Sequence, residues 1–185
     1  MALQAMWVPG YVAVPEHQGG AAQEGPLRNY DGGPLGNILQ HNFQDVVGFR
    51  QGFGVHFRGK ANQQVWFHFA IPTPVVSNDN RVSLVRAFVL WRTRGGSQLL
   101  SFHVWDGLRT RLLAVDGINS SGIFDGGPEQ PGSDPKLVDG ANRFTLPQPQ
   151  LVFYGIGVSA LIGFAGHGDD SDVFFTSAGA DFITP

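Results

Sequence analysis

Three histidines, His56, His68 and His103, each stand between apolar residues in stretches that alternate apolar and polar. Alternation with a period of two puts successive side chains on opposite faces of a strand, so each imidazole faces away from its Phe/Val stripe. Were their strands neighbours, two or three imidazoles could meet and bind Zn²⁺, Cu²⁺ or Ni²⁺. The competing reading is three separate, half-buried histidines, each hydrogen-bonded locally. That reading is favoured, because no carboxylate or second histidine stands at ligand spacing. A histidine-metal enzyme is therefore the remotest of the functions open to this chain.

Aromatic and polar residues near strand ends suggest a different chemistry. Trp66 shares a face with His68, and Trp105 with His103 and Ser101, while Asp106 and Gly107 follow directly. Trp91 adjoins Arg92 and stands near Arg94. A tryptophan ring stacks on the apolar face of a sugar while short polar groups bind its hydroxyls. The expected ligand-binding set is thus Trp66, His68, Trp91, Arg92, His103, Trp105 and Asp106, with a glycan as the ligand of a lectin-like module. Against it stands the commoner fate of tryptophan as core or interface filler. A third candidate is the run His167-Gly168-Asp169-Asp170-Ser171-Asp172, where Asp169, Asp170 and Asp172 offer hard oxygen ligands for calcium. The spacing lacks the bidentate glutamate of an EF-hand, and a polar hairpin turn is the favoured reading. No other cofactor is expected.

Common catalytic signatures are missing. There is no H-E-x-x-H, no G-x-S-x-G and no glycine-rich loop opening a helix; Gly155-Ile156-Gly157 falls in strand text. Glutamates are few, and Glu16 and Glu129 lie in loop text, which disfavours a paired-glutamate hydrolase. The absence of cysteine removes thiolate catalysis, disulfides and cysteine-ligated metals. The expectation is a protein that is not an enzyme. Net charge is −3 with scattered basic residues. The Arg86, Arg92, Arg94 group reads as solvated strand ends, so no nucleic acid partner is expected.

The elements that must position these residues are strands. Of 185 residues, 42% are hydrophobic and only 15% charged, enough for a thick core, and the 15 phenylalanines suit sheet packing. No segment shows a period of 3.6 apart from a weak helical turn at 35–41. Strands are expected at 3–8, 11–14, 47–57, 65–71, 82–91, 99–105, 110–115, 144–146, 151–164 and 173–182. Within 47–57, Phe49, Phe53, Val55 and Phe57 fall on one face. Residues 82–91 are apolar on both faces, as a central strand is, and 82–115 reads as a three-strand meander closed by the Asp106-Gly107 turn. The strand at 151–164 is lined on one side by small residues that invite close approach of the facing sheet or a neighbouring strand. The fold class is all-β: a two-sheet antiparallel β-sandwich, jelly-roll-like, of about eight or nine strands. One domain, 1–185, is expected, with long loops at 15–45 and 116–140. No stretch is long and apolar enough to span a membrane, and residues 1–10 lack the regions of a Sec signal, so a cytoplasmic protein, or one exported without that signal, is expected.

Three segments also resemble, taken together, a bacterial domain family of unknown function: Trp66-Phe67-His68-Phe69-Ala70-Ile71-Pro72-Thr73-Pro74, His103-Val104-Trp105-Asp106-Gly107 and Phe175-Thr176-Ser177-Ala178-Gly179-Ala180-Asp181-Phe182. Residues 1–8 and 151–158 are similar to the same family, so the resemblance spans 1–182. It implies a compact β domain and supplies no activity or catalytic residues. Residues 18–39 and 117–139 look like this chain's own elaborations. Low charge and strands apolar on both faces leave a second expectation open beside the non-catalytic binding module: a self-assembling structural protein, a homo-oligomer or fibre, in which another copy covers exposed apolar faces.

Overall fold

Stripes of alternating apolar residues supply the inner faces of two antiparallel sheets. The computed structural model describes residues 2–16, 47–59, 61–107, 110–127, 135–165 and 171–184. In chain order the strands are β1 (Ala2–Pro9), β2 (Val14–Pro15), β3 (Val47–Gln51), β4 (Gly54–Arg58), β5 (Gln63–Ile71), β6 (Val76–Ser77), β7 (Asn80–Arg81), β8 (Ser83–Thr93), β9 (Gln98–Asp106), β10 (Thr110–Ser120), β11 (Ile123–Phe124), β12 (Arg143–Leu151), β13 (Ile156–Phe164) and β14 (Asp172–Thr184). Only one 3-10 turn, Gly10–Val12, interrupts them among the described residues, and no helix there is long and apolar enough to cross a membrane. The molecule is an all-β antiparallel sandwich, as its periodicity predicts.

The first sheet is built around β14. One side of β14 pairs with β8; the other pairs with β4 over residues 172–175 and with β1 over residues 177–184. β12 and β11 share the far side of β8, and β3 extends the sheet beyond β4. Where β14 changes partner, Thr176 is an extra residue whose hydroxyl donates to the Asp125 carbonyl at 3.0 Å. Two strand ends meet β14 at this point. A Cβ on Gly10 would lie 1.9 Å from the Phe175 carbonyl oxygen, and one on Gly54 would lie 2.4 Å from it. Glycine is needed at both positions because backbone occupies the side-chain space.

The second sheet runs β10-β9-β13-β5-β2. Its inner residues Phe67 and Phe69 meet Phe175 of the first sheet at ring distances of 5.2 and 5.3 Å, and Phe102 stacks on Phe144 at 4.0 Å. The chain crosses between sheets repeatedly, and one crossing follows β8, at residues 94–97. Residues 82–115 are therefore not a three-strand meander. The β9–β10 hairpin forms at the expected turn, but β8 belongs to the other layer, because β14 on one side and β11 and β12 on the other leave it no free edge for β9.

Other boundaries also differ from expectation. Residues 47–57 are a hairpin, β3 and β4, so Phe53 sits in the turn, 65% exposed, rather than on a shared face with Val55 and Phe57. Strand β13 begins only at Ile156, after a turn at 152–155, and β10 runs on to Ser120, shortening the 116–140 loop. The small-residue side of β13 faces outward, away from the other sheet. The helical turn at 35–41 and most of the 15–45 loop lie outside the described residues.

The outer face of the first sheet is covered by the chain itself. Trp7 stacks on Phe88 at 4.9 Å, Gly126 and Pro135 lie over Leu90, and His56 and Arg92 flank Phe174. Arg86 is not a solvated strand end, since its Nε–H donates to the buried Asp181 carboxylate. Asn78 and Asp79, at φ 50° and 61°, make the tight turn joining β6 and β7, the left-handed pair a two-residue hairpin demands.

Candidate site on the outer face of the second sheet

Antiparallel register decides which of the candidate residues meet. On the outer face of the second sheet, Ser159 of β13 stands opposite both His68 of β5 and His103 of β9. One step along, Leu161 stands opposite Trp66 and Ser101; one step the other way, Gly157 stands opposite Ala70 and Trp105. Four of the seven residues picked out by sequence, Trp66, His68, His103 and Trp105, thus share one face across three adjacent strands. The Trp66 ring packs on His103 at 4.7 Å, and His103 meets the edge of Trp105 at 6.2 Å.

Polar residues hold this aromatic cluster in place. His68 Nδ1 and Ser159 Oγ are hydrogen-bonded at 2.9 Å. His103 Nε2–H donates to Asp116 Oδ1 at 2.9 Å, since an ionised carboxylate only accepts. That bond, with a second from Ser101, holds the Asp116 carboxyl below its usual range. The Arg111 guanidinium lies 5.7 Å from the centre of the Trp105 ring. Both tryptophans remain half-buried, with part of each ring open to solvent. Nothing lies within 4 Å of the position a Cβ on Gly157 would take, which leaves a notch beside Trp105.

Three predicted ligand residues lie elsewhere. Trp91 points into the core, fully buried, with Nε1–H donating to the Ala141 carbonyl at 3.0 Å, and a ring so placed cannot stack on a ligand from solution. Arg92 lies on the outer face of the first sheet, over the Phe174 ring at 4.6 Å and 3.8 Å from Asp125. Asp106 points away from the aromatic face, and its carboxylate accepts the amides of Phe153, Tyr154 and Gly155 at 2.7, 2.9 and 3.0 Å. Ser159, Asp116, Arg111 and Gly157 belong to the face but were not singled out. Ser159 and Gly157 carried a signal, since both alternate with the apolar stripe of β13.

The three histidines do not converge. His56 is on the first sheet, while His68 and His103 are held apart by Ser159, each with its own partner. No group of three His, Asp or Glu able to hold a metal occurs among the described residues. For the calcium proposal, Asp169 and Asp170 lie outside the described residues; Asp172 opens β14, with an oxygen 3.8 Å from His56 Nδ1.

Burial lowers the pKa of His56 below its usual 6.5; Asp172 opposes the shift and Arg92 and Arg94 reinforce it. The unfolded chain therefore takes up this proton at higher pH than the folded one, and acidification favours unfolding. Stability from this group is whole above 6.5 and falls away as the pH drops through the usual value towards the folded one. The melting temperature is expected to decline between roughly pH 7.5 and 5, and His56→Gln to flatten that decline. Asp116 and Asp139, lowered from 3.8, lose their contribution only in more acid solution and do not overlap this window. An equally steep decline in the variant would exclude His56 as its source.

The protein is thus an antiparallel all-β sandwich carrying an aromatic and histidine-lined face on its second sheet. No family model matches the chain, and neither the curated proteins nor the solved structures offer a match.

Proposed function

We propose that the protein is a non-catalytic carbohydrate-binding module whose ligand lies across the outer face of the second sheet. The observation that carries this reading is the meeting of Trp66, His103 and Trp105 on one face, with both tryptophans half-buried and open space at Gly157, opposite Trp105. A pyranose ring lies flat on an indole, and Asp116, Arg111 and His68 offer acceptors and donors for its hydroxyls around that face. A non-catalytic role fits Ser159. It is 5% exposed on a central strand whose backbone is committed to β5 and β9, so no pair of free amides stands ready as an oxyanion site.

Gly157 sharpens the reading. It has ordinary strand geometry and open space around it, so neither packing nor backbone conformation requires glycine there. Gly157→Val is expected to stabilise the fold by roughly 0.5–1 kcal/mol, because glycine inside a strand is costly. The same change fills the notch and is expected to block the glycan. Trp105→Ala is expected to weaken binding on the order of 30-fold, as loss of a central aromatic contact does. A broad glycan array followed by affinity electrophoresis measures both. Silence of the wild-type protein across the array, or binding indifferent to both substitutions, refutes the assignment.

A further inference from the structure

The turn between β12 and β13 has its amides bonded to groups elsewhere in the fold. Val152 N–H donates to the Val82 carbonyl at 3.0 Å, the next three amides donate to Asp106, and Ile156 N–H donates to Thr73 Oγ1 at 2.9 Å. The Gly155 carbonyl accepts from Gly107 N–H at 2.9 Å, and the Val152 carbonyl accepts from Arg81 at 3.3 Å. Five successive amides are thus bonded to groups from outside the turn.

That well-anchored turn displays apolar side chains to water. Leu151 and Phe153 are each 50% exposed and Tyr154 is 72% exposed, while Val152 alone reaches the core. The Arg81 guanidinium lies 4.8 Å from the Phe153 ring centre. Trp105, next to Asp106 in sequence, stands at the same end of the sheet, with Arg111 paired opposite it. Closing a turn does not require exposed aromatic rings, and holding them rigid lowers the entropy lost when they bind.

We infer that this turn is a docking tip for an anionic lipid surface, with Phe153 and Tyr154 entering the interface and Arg81 meeting headgroup phosphates. Backbone can leave water for a lipid interface only where its polar groups are already bonded, as these amides are. Aromatic rings with a polar edge settle at that depth, and nearby arginines add attraction to anionic headgroups. The tip consists of three exposed apolar side chains. That is far less than the ~1,000 Å² a specific protein interface needs. With a net charge of −3 on the chain, attraction to an anionic surface has to come from the local arginines and is expected to weaken with salt. The inference rests on Phe153, Tyr154 and Arg81, none of which belongs to the proposed glycan face.

The chain contains no cysteine, so a single introduced thiol can be labelled uniquely. An environment-sensitive dye is attached at Tyr154→Cys and, as a control at the opposite end of the second sheet, at Ala61→Cys. Vesicles of two parts phosphatidylcholine to one part phosphatidylserine, and of phosphatidylcholine alone, are then added. The expected result is a blue shift and brightening at position 154 only, stronger with phosphatidylserine. Unlabelled protein carrying both Phe153→Ser and Tyr154→Ser is expected to bind the mixed vesicles on the order of ten-fold more weakly in co-sedimentation, with an unchanged melting temperature. No spectral change with either vesicle, equal change at both positions, or undiminished binding of the double variant overturns the inference. So does self-association in gel filtration that the double variant abolishes while neither protein binds vesicles.

Discussion

Asp106→Ala is expected to lower the melting temperature by roughly 10 °C. The carboxylate is 1% exposed and accepts three consecutive amides of the 153–155 turn. Truncation leaves those donors without partners at the edge of the core. Each unmet donor costs about 1–3 kcal/mol when water cannot reach it, and partial access at the exposed tip sets the sum at about 3–4 kcal/mol. For a chain of this size each kcal/mol moves the midpoint by about 2–4 °C. Asp106→Asn keeps the shape but gives up the charge and turns one acceptor into a donor facing an N–H, so an intermediate loss is expected. Thermal melts of both variants, with hydrogen exchange at residues 153–155, test this. A drop of only a degree or two would show that the turn is held by other means.

Phe175→Ala is expected to cost about 3–5 kcal/mol, the range for emptying a buried phenylalanine site. The ring is fully buried and lies between layers, 6.4 Å from Phe57 in its own sheet and 5.2 and 5.3 Å from Phe67 and Phe69 in the other. Collapse cannot refill the space easily, because the backbone on either side is pinned by the approach of Gly10 and Gly54. Phe175→Leu, which keeps most of the volume, is expected to lose less than half as much. Urea unfolding reads both values, and the argument needs the midpoint to shift with little change in slope. A loss for the alanine variant no larger than that for leucine would mean the site relaxes.

Much of the fold was legible because a period of two is a strong signal when phenylalanine and valine carry it. Val65, Phe67, Phe69 and Ile71 are all buried, as are Ile156, Val158, Ala160, Ile162 and Phe164. The same parity placed Trp66 with His68, and Trp105 with His103, on outward faces. Parity does not say which strands are neighbours. β8 looked continuous with β9 and β10 because only short turns separate the three, yet sheet membership depends on long-range pairing with β14. Nor does parity see bulges. One extra residue between Arg111 and Leu113 shifts the β9–β10 register, so Asp116 comes to pair with Ser101 and can reach His103. A single-residue shift of this kind changes the face on which a side chain appears. Trp91 shows the remaining limit. On a strand apolar on both faces, alternation cannot say which tryptophan points inward.

The position of β14 also sets the order of assembly. It is the last of the described strands, yet β8, β4 and β1 all hydrogen-bond to it. A ribosome delivers every one of those partners before the strand that joins them. Until β14 emerges, β1 and β8 have open edges, and the phenylalanines of β5 lack their counterpart Phe175. The first sheet therefore completes only after β14 has followed β1, β4 and β8 off the ribosome. During that interval the unpaired edges of β1 and β8 are open to pairing with other chains.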